Sequence, residues 1–351
     1  MADSAYARAG VDTSRADSAI SALVDVLRTI DIGRPSRVVL GSGHYATVID
    51  LNGIGLALST DGVGSKVIVA EQTGRYDTVG IDCVAMNVND LVCVGAEPIA
   101  LLDYIAVEDA DPEVLRQIGV GLKEGAEQAG VEIPGGELAQ LPELIRGHPS
   151  PRGFDLAATS VGVVGLDAIV TGDALQPGDA VIGLASNGLH SNGFTLARRA
   201  LPELDEQLGD RTVGDELLRP TAIYVRAALE LLRSPEIDVH GLAHITGDGF
   251  LNLPRLSESV GWSIDSPLAV PPVCKLIAER ASVPATEMWE TFNMGCGFCC
   301  VVTPEHAHAA LHLLSAHHHA QIIGSVTGEA GLVELPFAGL AGRRGEGFRR
   351  A

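Results

Sequence analysis

Met86-Asn87-Val88-Asn89-Asp90-Leu91-Val92-Cys93-Val94-Gly95-Ala96-Glu97-Pro98 is an apolar run with polar side chains set into one side of it. Val84, Val88, Leu91 and Val92 recur at helical spacing, and Gly95, with Pro98 beyond it, ends the helix. Counted from Asp82, the remaining stripe is Asp82, Met86, Asn89 and Asp90, at i, i+4, i+7 and i+8. So hydrophobic a helix is no solvated surface element, and its carboxylates need partners. Asp82 and Asp90 stand about 12 Å apart along the axis, too far to hold one ion together. Asp90 is therefore expected to lead a metal site, with Asp82 helping from a second position. The competing reading gives Asp82 to a helix cap and the Asn89-Asp90 pair to hydrogen bonds with a neighbouring loop.

Working outward, 351 residues suffice for two domains, each with a full core. A hydrophobic content of 46% with 20% charged residues describes a folded soluble chain, and 41 Gly with only 4% aromatics favour α/β layers joined by tight loops. The formal net charge of -21 excludes binding to nucleic acid or an anionic membrane through a general electrostatic patch. A phosphorylated ligand would have to be met by Mg²⁺ or by backbone N–H groups. The N-terminus lacks a basic region followed by an apolar core, and no apolar run could span a bilayer, so a cytoplasmic location is expected. Cys83, Cys93, Cys274, Cys296, Cys299 and Cys300 form no disulfide framework; Cys296-x-x-Cys299 lacks the second pair a structural zinc needs and reads as part of a buried strand.

Residues 19–30 read as an amphipathic helix. Gly41-Ser42-Gly43-His44-Tyr45-Ala46 imitates a dinucleotide fingerprint, but Asn52-Gly53 between two apolar runs signals a hairpin where that fingerprint requires a helix. What remains at Gly41 and Gly43 is a glycine loop with free N–H groups that could close over phosphates. Thr60-Asp61-Gly62-Val63-Gly64-Ser65-Lys66 brings a carboxylate, two glycines and a Ser-Lys pair to the start of a helix over 67–72, which suits a Mg²⁺ ligand beside a phosphate; an ordinary Asp-Gly turn is the rival. After a strand over 99–107, Asp111-Pro112-Glu113 starts a helix that Gly130 ends. A short strand over 131–133 then delivers Pro134-Gly135-Gly136-Glu137, a third carboxylate for the same acidic cluster. A strand over 154–164 closes a first domain, 1–165.

The second domain, 166–341, is expected to repeat a strand, glycine-loop, helix unit. Ser186 to Gly193, with His190 and Asn192, opens one helix, and Thr246-Gly247-Asp248-Gly249 opens another; such helix N-termini suit anions. His190 could hold a phosphate or shuttle a proton, or be an exposed member of a capping loop. A helix is expected over 221–232, and the tail, 342–351, is expected to fray.

Together these segments resemble the phosphoribosylformylglycinamidine cyclo-ligase family, the aminoimidazole ribonucleotide synthetases of purine biosynthesis. The likeness runs from Tyr6-Ala7-Arg8-Ala9-Gly10-Val11-Asp12 through Thr60 to Lys66, Gly80-Ile81-Asp82, Asn89-Asp90, Gly95-Ala96-Glu97-Pro98 and Gly135-Gly136-Glu137. It continues through His190-Ser191-Asn192-Gly193, Pro220-Thr221, His244-Ile245-Thr246-Gly247 and Phe292-Asn293-Met294-Gly295. The resemblance implies a two-domain α/β (α+β) fold with a C-terminal α/β sandwich domain, and an N-terminal sheet paired with its twin in a homodimer. It also implies ATP-dependent cyclisation of formylglycinamidine ribonucleotide to aminoimidazole ribonucleotide. The metal set expected for Mg²⁺ is Asp61, Asp82, Asp90 and Glu137. Lys66 and His190 are the expected catalytic pair; Gly41, Gly43, Asp61, Gly62, Gly64, Ser65, Asn89, Gly136, Asn192, Thr246 and Gly247 are the expected nucleotide contacts. Three departures stand out: His44-Tyr45 in the glycine run, Leu138 where Thr commonly follows Gly-Gly-Glu, and Asp248 for a loop Gly. They leave open a paralogue phosphorylating a related amide, or a nucleotide-binding regulatory module without turnover.

Overall fold

The structure, a computed structural model, describes Ala5 and residues 13–351. Helix α1 (Thr13–Leu27) starts earlier than its apolar spacing suggests and leaves Ile20 and Leu23 exposed. The first sheet follows, made of β1 (Val38–Leu40), β2 (Thr47–Leu51), β3 (Ile54–Gly62), β4 (Glu97–Val107), β5 (Glu132–Gln140) and β6 (Phe154–Gly165), in the order β1-β2-β3-β6-β4-β5. The β2–β3 hairpin turns at Asn52 and Gly53, with φ of 56° and 95°, the paired positive values that select Asn-Gly there.

Short helix α2 (Val67–Thr73) leads to α3 (Val79–Cys93), the apolar helix of the opening stretch, which is buried at every position but Asp90. It lies under the sheet, beside α4 (Pro112–Ala129). The two helices approach so closely at Gly80 that a Cβ there would come within 2.2 Å of the Leu122 amide nitrogen. Asp111 caps α4, accepting hydrogen bonds from the N–H groups of Glu113 and Val114, and Gly130 ends it in the left-handed conformation.

The Pro134-Gly135-Gly136-Glu137 run is not a loop after a short strand. It lies within β5, parallel to β4 at the edge of the sheet, where a proline costs no ladder bond on the open side.

The second part of the chain builds an eight-stranded sheet. Its strands are β7 (Ala180–Ala185), β10 (Val239–His244), β11 (Gly261–Ile264), β12 (Cys296–Val302), β13 (Ala320–Thr327), β14 (Leu332–Leu335), β15 (Leu340–Arg343) and β16 (Gly347–Arg350), in the order β10-β12-β7-β13-β11-β14-β15-β16; β8 (Gln207–Leu208) and β9 (Arg211–Thr212) pair separately. Every residue of β12 is buried, its cysteines included. The tail does not fray: β15 and β16 pair antiparallel from Leu340 with Arg350 to Arg343 with Gly347 and extend the sheet. Helices α5 (Phe194–Ala200), α6 (Val213–Leu217) and α7 (Val225–Arg233) complete the layer that meets the first domain. Among the described residues no helix is long and apolar enough to cross a membrane.

Candidate active site

The polar stripe of α3 faces the second domain, and nearly every group on it is bonded there. Asp82 sits with Lys66 in a fully buried ion pair, Nζ lying 2.9 and 2.8 Å from its two carboxylate oxygens. Lys66 also donates to the carbonyls of His190 and Arg219, at 3.2 and 2.6 Å. Asp82 further accepts from the N–H and the hydroxyl of Thr221, at 2.7 and 2.6 Å. Burial draws the Lys66 pKa below its usual value, against the pull of Asp82. This geometry puts both side chains, expected at the site, in the interior. Asp82 is the buried counter-ion of Lys66, and Lys66, with no exposed surface, holds two loops together.

One turn further on, the Asn89 side-chain amide donates to the Ala222 carbonyl and its oxygen accepts from the Tyr224 N–H, both at 2.9 Å. Its place is between the domains, bonded to backbone. These bonds, with those of Thr221, hold residues 221–224 out of helical geometry, which is why α7 begins at Val225 and not at Thr221.

His190, the other residue expected to be catalytic, is likewise buried. It is 1% exposed, its backbone is left-handed with φ of 62°, and its Nε2 accepts from the N–H groups of Asn187 and Ala222, at 2.9 and 3.4 Å. Burial pushes its pKa well below the ordinary imidazole value, so the ring is neutral and shapes the loop from inside.

Asp90 is the open member of the helix, with a side chain 15% exposed. Its Oδ1 lies 2.9 Å from Nδ1 of His244, whose Nε2 is 3.4 Å from the Asn89 amide nitrogen. An amide nitrogen can only donate, so Nε2 is the acceptor and Nδ1 carries the proton that is given to Asp90. Asp61 ends β3 on the same side. Asn87 clamps it, accepting from the Asp61 N–H at 3.2 Å and donating to its carbonyl at 3.1 Å. Burial and then the neighbouring Asp90 raise the Asp61 pKa to about 6.

Glu137 does not join them. In the ladder Asp61 pairs with Ala158, Ala158 with Asp103, and Asp103 with Gly136, so these four share one face of the sheet; Glu137 pairs with Tyr104 and stands exposed on the other. Among the described residues no group of three or more His, Cys, Asp or Glu side chains is placed to hold a metal ion. Glu137 thus stands on the other face of the sheet from Asp61. Gly136 has a structural reason of its own: a Cβ there would lie 2.3 Å from the Asp103 carboxylate.

Around the pair stand the glycine loops. Ser65 and Thr195 hydroxyls meet across the domains at 3.1 Å, beside Gly62 and Gly64. Gly41 and Gly43 are exposed. Thr246 and Gly247 form a turn close to Asn192, whose Oδ1 would be 3.5 Å from a Cβ at Gly247. Asp248 has a φ of 75°, a value natural to glycine and tolerated by Asp. Sequence reading missed His244 and Asn87, which hold Asp90 and Asp61 in place; a His at a strand end immediately before a glycine loop was the signal available for the first.

Residues 43–164 match the family described as AIR synthase related protein, N-terminal domain, and residues 176–334 match AIR synthase related protein, C-terminal domain. The chain belongs to the AIR synthase family. A family relative from Methanothermobacter thermautotrophicus, a phosphoribosylformylglycinamidine cyclo-ligase, is 49% identical over 94% of this chain and 96% of its own length. A relative of the same name from Thermococcus kodakarensis is 47% identical over 93% of the chain and 96% of its own. Among solved structures, ThiL complexed with AMPPCP and TMP aligns with a TM-score of 0.63 at 17% identity, over 90% of this chain and 92% of that one. Hydrogenase maturation protein HypE in complex with ATP aligns with a TM-score of 0.58 at 20% identity, over 86% and 87%. At such identities these two speak for the AIR synthase fold alone.

Proposed function

We propose that the chain is a phosphoribosylformylglycinamidine cyclo-ligase, converting formylglycinamidine ribonucleotide and ATP to aminoimidazole ribonucleotide, ADP and phosphate. The observation that carries this reading is kinship with the cyclo-ligases, one of which is 49% identical across 94% of the chain. The geometry agrees with it at one point above all: a half-shielded carboxylate pair, Asp61 and Asp90, at the meeting of two domains and flanked by glycine loops.

In the proposed reaction the terminal phosphoryl group of ATP passes to the formamide oxygen. The amidine nitrogen then attacks that carbon, loses its proton, and the C–O bond breaks with release of phosphate. Such transfer is chiefly positioning and charge neutralisation. Magnesium suits the site, because Mg²⁺ is commonly held by one or two carboxylates together with substrate phosphates, and a dication would offset the burial and the Asp90 repulsion that raise the Asp61 pKa. Asp61 and Asp90 would hold it, and the bound ion would neutralise phosphate charge. His244 fixes the orientation of Asp90.

The homodimer belongs to the same proposal. On the face of the first sheet turned away from α3 and α4, Ile54, Leu102 and Tyr104 are 56%, 50% and 44% exposed, an apolar surface suited to a second copy.

The test is incubation with formylglycinamidine ribonucleotide, ATP and Mg²⁺, scoring ADP and the aminoimidazole product separately. Equal amounts of both are expected. ADP without imidazole would point to a paralogue acting on a related amide, and tight ATP binding without ADP to a regulatory module.

A further inference from the structure

The His44-Tyr45 departure in the glycine run occupies a defined place. Gly41, Ser42 and Gly43 are exposed, whereas Tyr45 is 5% exposed and crosses to the second domain. Its hydroxyl donates to the Asn252 carbonyl at 3.1 Å. The Arg255 guanidinium lies over its ring, 4.1 Å from the centroid, and donates to the His44 carbonyl at 2.8 Å. Asn252 in turn donates through its side-chain amide to the carbonyls of Gly247 and Gly249, at 2.5 and 2.8 Å. An unbroken series of bonds thus runs from the base of one glycine loop to the turn of another. Burial raises the Tyr45 pKa well above that of a free phenol, so the hydroxyl keeps its proton and remains a donor.

We propose that Tyr45 and Arg255 are positioning residues that tie the 41–46 loop to the 246–249 turn through Asn252, so that both loops flanking the Asp61–Asp90 pair take up their working positions together. A buried aromatic serving only as core filling would need no hydroxyl, and an arginine serving only as a surface charge would not stack and donate at the same place. The proposal deepens the ligase reading by naming what sets the loops, and rests on it only for the nucleotide that they meet. With glycines at 44 and 45 there would be no ring for Arg255 to cover.

The experiment uses the full chain, free of nucleotide, as wild type, Tyr45→Phe and Arg255→Lys, both substitutions chosen to preserve the fold. Amide hydrogen exchange is followed in peptides covering 41–46 and 246–252. Exchange is expected to rise in both segments together, by about fivefold in Tyr45→Phe, the factor that one lost hydrogen bond corresponds to. The KM for ATP is expected to rise by a similar factor with a smaller change in kcat. A rise confined to 41–46, or no rise in either variant, would overturn the proposal. Exchange is read without turnover, so a wild-type enzyme that makes no imidazole would sink the ligase reading and leave the exchange result to decide the positioning role.

Discussion

Lys66 illustrates how burial changes the meaning of a residue type. A Ser-Lys pair at a helix start reads as a phosphate clamp, yet the ammonium is enclosed by one carboxylate and two carbonyls from the other domain. Breaking a buried pair by removing one partner leaves the other charge uncompensated, so Lys66→Met is expected to lower unfolding stability by about 3–5 kcal/mol in urea titrations. A clamp exposed to ligand would instead leave stability within about 0.5 kcal/mol of wild type and raise the KM for ATP. Asp90 gives the opposite case. Asn in its place keeps an oxygen to accept from His244 and fills the same volume, while the charge that a cation needs is gone. Asp90→Asn is therefore expected to reduce ADP formation about 100-fold or more with an unchanged urea midpoint; turnover near wild type would take Asp90 out of the metal site.

At the scale of elements, what could be read from the sequence was what the chain decides locally. The β2–β3 hairpin, the apolar span of α3, and the cap and stop of α4 follow from Asn52-Gly53, from helical spacing, and from Asp111 and Gly130. Three features were not legible because distant partners set them: the start of α7, fixed by Asp82 and Asn89; the strand through Pro134 and Gly136, fixed by β4; and the paired tail, fixed by β14. The same holds for the site. Asp61 and Asp90 were recognisable one by one, but the side of the sheet on which Glu137 stands depends on strand register, which a one-residue slip reverses. The buried loops also carry a pH signature. His190 and His318 have pKa values below 6.5, and His44 is lowered to about 4, in each case chiefly by burial. The unfolded chain therefore binds these protons first, and the associated stability is complete above pH 6.5 and is lost as the pH falls. His240 works in the other direction: burial lowers its pKa, but Asp179 and Asp238 outweigh burial and raise it, so its contribution is lost as the pH rises above 6.5. Stability is expected to fall from pH 7 to pH 5, and His190→Gln should flatten that slope by about one proton, about 1.4 kcal/mol per pH unit. Parallel profiles for variant and wild type would show that His190 does not titrate on unfolding.

For the whole molecule, the buried polar bonds between the two sheets mean that the domains are joined through charge and hydrogen bonding as much as through apolar contact. Lys66–Asp82–Thr221, Asn89–Tyr224, Asp90–His244 and Tyr45–Asn252 all cross that junction. With one face of the first sheet committed to α3 and α4, its other face is left with Leu102 and Tyr104 exposed on β4, one strand in from the β5 edge and four from the β1 edge. An apolar patch on the face of a sheet is stabilised by covering it face to face and not by adding a strand at the edge. A second copy of the same face meets that need by two-fold symmetry, bringing Leu102 and Tyr104 toward their own counterparts or near neighbours. The wild-type chain is accordingly expected to sediment as a dimer at micromolar concentration, and Leu102→Asp combined with Tyr104→Asp to sediment as a folded monomer, because each dimer would bury four unpaired carboxylates. A monomeric wild type, or a double variant that remains dimeric, would place the contact elsewhere and leave this face as ordinary exposed surface.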